Sequence, residues 1–286
     1  MKQAVALLAW SIVATAVAAS TPETHLAIQN ASVHQFEDGP SVPVDQAFTP
    51  ADTVFLSFEI SGYQKKDKPN YAGAHLSLSW TVDATDPAGT LIVPEASGKE
   101  DTDITSEDKH WLPKIRTTAL IPQAAPTGTY HLKITVRDDL AKTEATADVP
   151  FHVRSRDVPP SDALVIRNLR FYAAEEDRKP LETAAYRAGE TVWVKFDITG
   201  YKFAPGNQFQ VSYGIDAILP SGKVGLSQAD AATLTDKTFY PERYAPGEFS
   251  LPLPTNVPTG KHTIVITAHD KIGNQTADAR AQFSVE

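Results

Sequence analysis

The chain has 286 residues, of which 42% are hydrophobic and 21% are charged, so it can bury substantial cores and is long enough for about two domains. Its formal net charge of -9 argues against nucleic-acid partners, which select clustered lysine and arginine, and against acidic membrane surfaces. The absence of cysteine excludes disulfides and thiolate metal sites.

The N-terminus predicts an export signal. Lys2 precedes an apolar run at residues 4–19 that ends in small side chains, as in a cleaved signal peptide. A membrane anchor is the alternative, but the run is short for a bilayer span. We therefore predict a signal peptide at residues 1–19, export to a periplasm or beyond the cell, and no stable membrane insertion after cleavage. Because exported animal domains of this size usually carry disulfides, the lack of cysteine favours a bacterial protein.

The remainder of the sequence contains two copies of one pattern. The segment TVFLSFEISGY at residues 53–63 returns without a gap as TVWVKFDITGY at residues 191–201. The Pro-Thr-Gly at residues 126–128 recurs at residues 258–260. The sequence separation between equivalent residues of the two copies is smaller near the end of the copies than near their start. The reason is that the first copy carries extra residues in its loop at 64–74.

A repeat of roughly 130 residues is far longer than solenoid or propeller units, so each copy is predicted to be a complete domain. We assign the first domain to residues 22–153 and the second to residues 163–286. The stretch at residues 154–162 between them is charged and carries prolines. This composition predicts a short, stiff linker.

Alternating hydrophobic residues predict β-strands in both copies. Val54, Leu56 and Phe58 alternate with more polar neighbours, and the matching segment of the second copy does the same. In a later pair of strands the alternation directs Trp80 and Tyr213 into their cores. Turn sequences separate the runs, and no long segment keeps helical spacing. We therefore predict an all-β fold of two tandem antiparallel β-sandwiches, with a barrel as the alternative.

The end of each copy resembles a known type of module. Pro-Thr-Gly-Thr-Tyr at residues 126–130, an alternating strand and a closing Phe-x-Val strand are similar to bacterial immunoglobulin-like and fibronectin-type domains. Trp80 resembles the core tryptophan of immunoglobulin domains, and Tyr130 resembles the tyrosine at their strand corner. The second copy departs from the pattern because His262 replaces this tyrosine, and both copies lack the bridging cysteines. The resemblance implies tandem immunoglobulin-like β-sandwiches with adhesion or spacer roles, and it implies no specific activity.

Known catalytic motifs are missing from the sequence. The chain has no Gly-x-Ser-x-Gly nucleophile elbow, no His-Glu-x-x-His zinc motif, and no phosphate-cradling or dinucleotide-binding glycine motif. An active site assembled from scattered residues is the alternative. We predict that the protein is not an enzyme and uses no cofactor.

Two groups of polar residues bear on metal binding. His131 and His152 are predicted to point outward from neighbouring strands, but no third ligand is identifiable, and surface histidines are the simpler interpretation. Acidic residues at 101–108 lack the spacing of an EF-hand loop, so a solvated acidic loop is favoured over a calcium site. The repeated Asp138 and Asp270 are predicted to bond to the backbone of their own turns. We therefore predict no metal site.

Aromatic residues outside the core pattern are the best candidates for partner binding. Phe55 and Trp193 occupy the same repeat position and face away from the core, where a covering segment or the sister domain is the alternative explanation. Trp111 lies in the loop in which the two copies differ most, and Tyr240 and Tyr244 lie in the matching region. These three could contact a sugar or a protein, or could hold their own loops in place.

The sequence thus predicts a secreted or periplasmic, non-catalytic binding or scaffolding protein that acts through protein–protein interaction. A carbohydrate-binding accessory protein of the cell envelope is the alternative, with the loop aromatic residues as its platform. A periplasmic chaperone of two immunoglobulin-like domains is the second alternative, and it requires basic residues in the cleft between the domains. Arg154 and Arg156 lie nearby on the linker, but we interpret them as solvated linker residues.

Overall fold

A computed structural model describes residues 25–69, 72–108 and 111–286. The predicted signal peptide at residues 1–19 lies outside the described residues. The described part is all-β, apart from a short 3-10 helix at Ser106–Asp108. Within it, no helix is long and apolar enough to cross a membrane.

The first copy consists of two sheets that face each other. Its strands in chain order are β1 Ala27–His34, β2 Ala47–Phe48, β3 Thr53–Ser61, β4 Lys66–Asp67, β5 Gly73–Thr85, β6 Ala96–Thr105, β7 Lys114–Leu120, β8 Gly128–Asp138 and β9 Glu144–Val153. One sheet has the order β1-β3-β7, and the other has the order β2-β9-β8-β5-β4, with β6 also paired to β5. The short β2 runs parallel to β9, and the other pairs are antiparallel.

The second copy repeats this arrangement. Its strands are β10 Val165–Tyr172, β11 Ala185–Tyr186, β12 Thr191–Thr199, β13 Gln208–Ile218, β14 Val224–Lys237, β15 Tyr244–Pro252, β16 Gly260–Asp270 and β17 Gln275–Val285. The sheets have the orders β10-β12-β15 and β11-β17-β16-β13-β14. Among the described residues no sheet includes strands of both copies. The predicted all-β fold of two sandwiches is confirmed, and neither copy closes into a barrel.

The core of each copy lies between its two sheets, on the faces that the alternation predicted. Val54 and Phe58 are fully buried, and Tyr213 is buried in the second copy. Trp80 is half-buried: its indole packs edge-on against Phe58, with ring centroids 6.2 Å apart. The indole also lies over Gly98 of β6, where an added Cβ would be 2.4 Å from the ring. Trp80 therefore completes one edge of the core instead of occupying its centre.

Two buried aspartates fix matching turns in the two copies. One oxygen of Asp138 accepts hydrogen bonds from the backbone N–H groups of Leu140 and Ala141, and Asp270 does the same in its own turn. This confirms the predicted turn bonding. The second oxygen of Asp138 accepts from the backbone of Gln64, so each carboxylate also ties down the loop after the second long strand of its copy.

A side-chain hydrogen bond closes the corner at which β8 and β16 begin. The hydroxyl of Tyr130 donates to the carbonyl oxygen of Pro126 at 2.8 Å. In the second copy Nε2 of His262 lies 2.8 Å from the carbonyl oxygen of Pro258. Because a carbonyl oxygen only accepts, this nitrogen carries a proton. The replacement of tyrosine by histidine therefore keeps the corner bond.

The acidic residues that were expected in a solvated loop lie mainly on a strand. Residues 96–105 form β6, which pairs along β5, so the loop prediction was wrong for this segment. An edge strand tolerates charged side chains on its exposed side, which hid the strand pattern. Lys99 lowers the pKa of Asp101, and Lys68 followed by His75 lowers the pKa of Asp103. These carboxylates are therefore matched by cations of the chain itself.

Candidate functional site

The two sandwiches are joined by a side chain that crosses between them. Tyr240 lies in the loop before β15 of the second copy, yet it is buried among core residues of the first copy and is only 3% exposed. The sequence suggested Tyr240 as a contact for an outside partner. In the structure it is a contact between the copies.

Tyr240 donates its hydroxyl hydrogen to a buried carboxylate of the first copy. Its oxygen lies 2.9 Å from Oδ2 of Asp86, and a terminal nitrogen of Arg243 lies 3.2 Å from the same atom. The other oxygen of Asp86 accepts the backbone N–H groups of Ala88 and Thr90. A buried carboxylate is costly unless it is paired and hydrogen-bonded, and the cation that pairs with Asp86 comes from the second copy.

The contact with Asp86 affects the protonation of Tyr240. Burial raises the pKa of its hydroxyl well above the usual range, and the Asp86 carboxylate beside it raises the pKa further. The phenol therefore keeps the proton that it donates to Asp86. Burial likewise raises the pKa of Tyr130, which lies in the same region of the first copy.

The linker forms a second contact at the junction. The guanidinium of Arg156 lies over the ring of Tyr244, 5.0 Å from its centroid, and pairs with the buried Asp197 at 2.8 Å. The hydroxyl of Tyr244 donates to the carbonyl oxygen of Gln123 at 3.4 Å. Tyr244 is 8% exposed, so it too belongs to the junction. Arg156 stays largely exposed, as expected of a solvated linker residue, but its guanidinium also pairs with the buried Asp197, which the sequence did not predict.

Two clefts open where the copies meet. One of about 410 Å³ is bordered by Arg154, Arg156 and Glu242, and the other, of about 380 Å³, by Arg156, Val158 and Arg243. Burial raises the pKa of Glu242, and the nearby Asp236 adds to this shift. Cationic and acidic groups therefore share the first cleft, and Arg156 is already engaged by Asp197.

Trp111 is the predicted binding residue that remains most exposed. Its backbone is held in place, since its carbonyl oxygen accepts the hydroxyl of Tyr63 at 2.9 Å and its N–H donates to the carbonyl of Asp108. The side chain is nevertheless 40% exposed. A tryptophan that is this exposed on a fixed backbone is suited to bury itself in a partner.

Phe55 and Trp193 lie on the outer faces of the two three-stranded sheets and are half-buried. Phe55 borders a cavity of about 280 Å³ together with Asp38 and Arg116. Asp38 and Arg116 form an ion pair at 2.9 Å, which holds the loop after β1 against this face. Trp193 occupies the matching position of the second copy, where it pairs with Tyr172 on β10. The structure thus brings Tyr240 and Tyr244 together and keeps the other three aromatic residues apart.

The two outward histidines each have a partner on their own sheet. Nδ1 of His131 lies 2.7 Å from Oδ2 of Asp148, and Nδ1 of His152 lies 3.2 Å from Oγ1 of Thr129. Across the described part of the chain, no group of three or more histidine, aspartate or glutamate side chains is arranged to hold a metal ion.

Sequence reasoning missed the junction residues Asp86, Arg243 and Asp197. The signal was present as a mismatch in the repeat, because Leu219 stands where the first copy has Asp86. An aspartate that the turn itself required would be kept in both copies, as Asp138 and its counterpart are. The turn closes with the same backbone hydrogen bond whether Asp86 or Leu219 occupies this position, so the aspartate is explained by its contact with the second copy.

Comparisons with known proteins give distant likenesses. No family model matches the chain, and no curated protein matches it. The chain is similar to the C-terminal domain of the Streptococcus agalactiae AgI/II polypeptide BspA, with 11% identity and a TM-score of 0.30 over 92% of this chain and 100% of that chain. It is also similar to the C-terminal domain of the Streptococcus pyogenes antigen I/II-family protein AspA, with 9% identity and a TM-score of 0.28 over 91% and 99% of the respective chains. At these TM-scores the likenesses carry no weight for the function of this chain.

Proposed function

We propose that this chain is an exported, non-catalytic binding protein that presents a fixed surface to a protein partner. The observation that carries this proposal is the junction at Asp86, to which Tyr240 and Arg243 anchor the second sandwich. Two sandwiches joined through a buried side chain keep one mutual orientation. A surface that is already ordered pays less conformational entropy when it binds, which suits a scaffold or an adhesive module.

The proposed contact surface is the end of the first sandwich around Trp111. Its indole is 40% exposed while its backbone is held by Tyr63, and tryptophan is enriched among the residues that dominate binding energy. Phe55 and Trp193 are secondary candidates, because each is a half-buried aromatic residue on an outer sheet face. Tyr240 and Tyr244 are not part of the proposed surface, since the junction buries them.

We also assign the two sandwiches to the immunoglobulin-like class. Three features support this assignment: a three-stranded sheet faces a longer one, a short early strand runs parallel to the last strand, and a side chain closes the corner before the penultimate strand. The corner bonds are those of Tyr130 and His262. Such folds host many functions, so the binding role depends on the Trp111 surface and not on the fold.

Affinity capture with the full chain tests the proposal. The immobilised wild-type chain is expected to retain a protein from the envelope or surroundings of the cells that make it, and the Trp111→Ala variant is expected to lose that protein. Phe36→Ala is the matched control, because Phe36 is an aromatic residue that is 58% exposed and lies in a different loop. Retention that Trp111→Ala leaves unchanged would reject this surface. If the native chain retains nothing beyond a heat-denatured sample, the binding role is rejected.

A carbohydrate partner is the second candidate, because an exposed tryptophan can also stack on a sugar ring. The burial of Tyr240 and Tyr244 leaves Trp111 as the exposed member of the three predicted loop aromatics. Binding to a glycan array that disappears in Trp111→Ala would favour this alternative over a protein partner. Silence on the array together with protein capture would reject it.

A further inference from the structure

Each sandwich carries an aromatic loop at one end and a groove at the other. In the first copy Trp111 lies near the end where Glu59 pairs with Lys114, and the groove lies near the opposite end, where Thr53 pairs with Leu120. The second copy is arranged in the same way, with its aromatic loop beside the start of β15 and its groove beside the end of β15. Within the chain, the loop of the second copy fills the groove of the first through Tyr240.

Among the described residues, no such side chain enters the groove of the second copy. It is a cavity of about 400 Å³ with apolar walls, within the size range of pockets that take ligands. Its floor contains His262 and Phe283, which match Tyr130 and Phe151 of the first copy. Its apolar walls include Ala217, Leu219, Leu226, Leu251, Leu253 and Val257.

The groove of the second copy and the loop of the first copy are both free, whereas the other groove and loop contact each other within the chain. Two residue exchanges distinguish the free groove and loop from the joined ones. Leu219 stands at the repeat position of Asp86, and Trp111 stands at the repeat position of Arg243. Inside the chain, Arg243 and Asp86 form an ion pair across the junction. At the two free ends, both members of that pair are replaced by large apolar residues. The free loop and the free groove are therefore both apolar at these positions, so they can still pack against each other.

The exposed apolar residues at this groove also indicate that a partner covers it. Leu226 on its wall is 43% exposed, and the neighbouring Val224 is 57% exposed. Large apolar side chains that cluster on a surface are typical of sites that a partner covers. An indole that enters the groove removes apolar area of both Trp111 and Leu226 from water, which favours association.

We propose that Trp111 of one molecule enters the groove around Leu219 of a second copy of this chain. The molecules then associate head to tail, in the way that the two sandwiches associate within one molecule. The inference rests on the proposed function, because it names a second copy as the partner of the Trp111 surface. The loop and the groove are two different surfaces, so the contact is heterologous, and it joins molecules into a ring or an open series.

Sedimentation velocity of the purified full chain over a range of concentrations tests the proposal. The wild-type sedimentation coefficient is expected to rise with concentration past the value for a dimer. Trp111→Ala and Leu226→Glu are each expected to weaken the association by about tenfold or more, because each removes a central apolar contact. Val44→Glu is the matched control for added charge, since Val44 is 83% exposed in a loop away from the groove. Thermal melts of each variant establish that it is folded.

A charge exchange provides a second, independent measurement. Leu219→Asp and Trp111→Arg are each expected to weaken the association, and the double variant is expected to recover it by forming the ion pair seen between Asp86 and Arg243. A double variant that associates no better than either single variant would overturn the pairing of Trp111 with Leu219.

The outcomes separate this inference from the proposed function. A wild-type chain that stays monomeric at every concentration overturns head-to-tail association, while capture of another protein through Trp111 leaves the binding role intact. Association that survives both Trp111→Ala and Leu226→Glu also overturns the inference. Association that Leu226→Glu abolishes but Trp111→Ala does not would assign the groove to a different occupant and overturn the proposal.

Discussion

Truncation of Tyr240 should destabilise the first sandwich, although Tyr240 belongs to the sequence of the second. The side chain is 3% exposed and lies among core residues of the first copy. Replacement of a buried aromatic residue by alanine costs about 3–5 kcal/mol of the free energy of unfolding. Tyr240→Phe keeps the ring and removes only the hydrogen bond to Asp86, which is worth about 1.5–3 kcal/mol because the acceptor is charged.

Hydrogen exchange followed by mass spectrometry of the full chain measures this effect copy by copy. In Tyr240→Ala, the slowest amides of β8 and β9 are expected to exchange roughly a hundredfold or more faster, since each 1.4 kcal/mol is a factor of about ten. Phe239→Ala is the matched control, because Phe239 is the preceding residue and is 50% exposed. It should leave β8 and β9 unchanged.

Two results would refute this reasoning. Exchange that accelerates in Tyr240→Ala only within β16 and β17 would mean that Tyr240 does not stabilise the first sandwich. A Tyr240→Phe variant as unstable as Tyr240→Ala would mean that the hydrogen bond to Asp86 matters and that burial of the ring does not.

Further predictions concern the turns, the corner and the pH range. Gly62 and Gly89 both have positive φ, at 69° and 81°, but an added Cβ would lie 1.9 Å from a backbone oxygen at residue 62 and would meet no atom at residue 89. Gly62→Ala should therefore lower the free energy of unfolding, measured in urea, by more than Gly89→Ala does. Equal losses would contradict this. Tyr130→Phe should lower the free energy of unfolding by about 1 kcal/mol, measured in urea, and an unchanged value would argue against the corner bond. Burial raises the pKa of Tyr186 from 10.0 to about 12, so its contribution to stability is complete below pH 10 and is lost as the pH rises to about 12, because the unfolded chain releases its proton first. Tyr186→Phe should therefore lose less stability than the wild type over this interval, as measured by urea titrations at each pH.

Local patterns in the sequence were sufficient for the sandwiches themselves. Strand residues such as Val54 and Phe58 alternate with period two, and this spacing by itself assigns them to one face. The turn aspartate Asp138 bonds mainly to residues that follow it closely, so its role was also predictable. Strand β6 was missed because its charged residues resemble a loop, and only its pairing with β5 identifies it as an edge strand.

What the tertiary structure decided was the fate of the aromatic residues outside the core pattern. Tyr240 and Asp86 are 154 residues apart in sequence, and no local periodicity records that they meet. An aromatic loop residue is buried where a groove lies opposite it, as for Tyr240. It is exposed where solvent lies opposite it, as for Trp111. The sequence by itself determined two like sandwiches with matched cores and turns. The contact between them, and the loop and groove that it leaves unmatched, arise from the packing of one copy against the other.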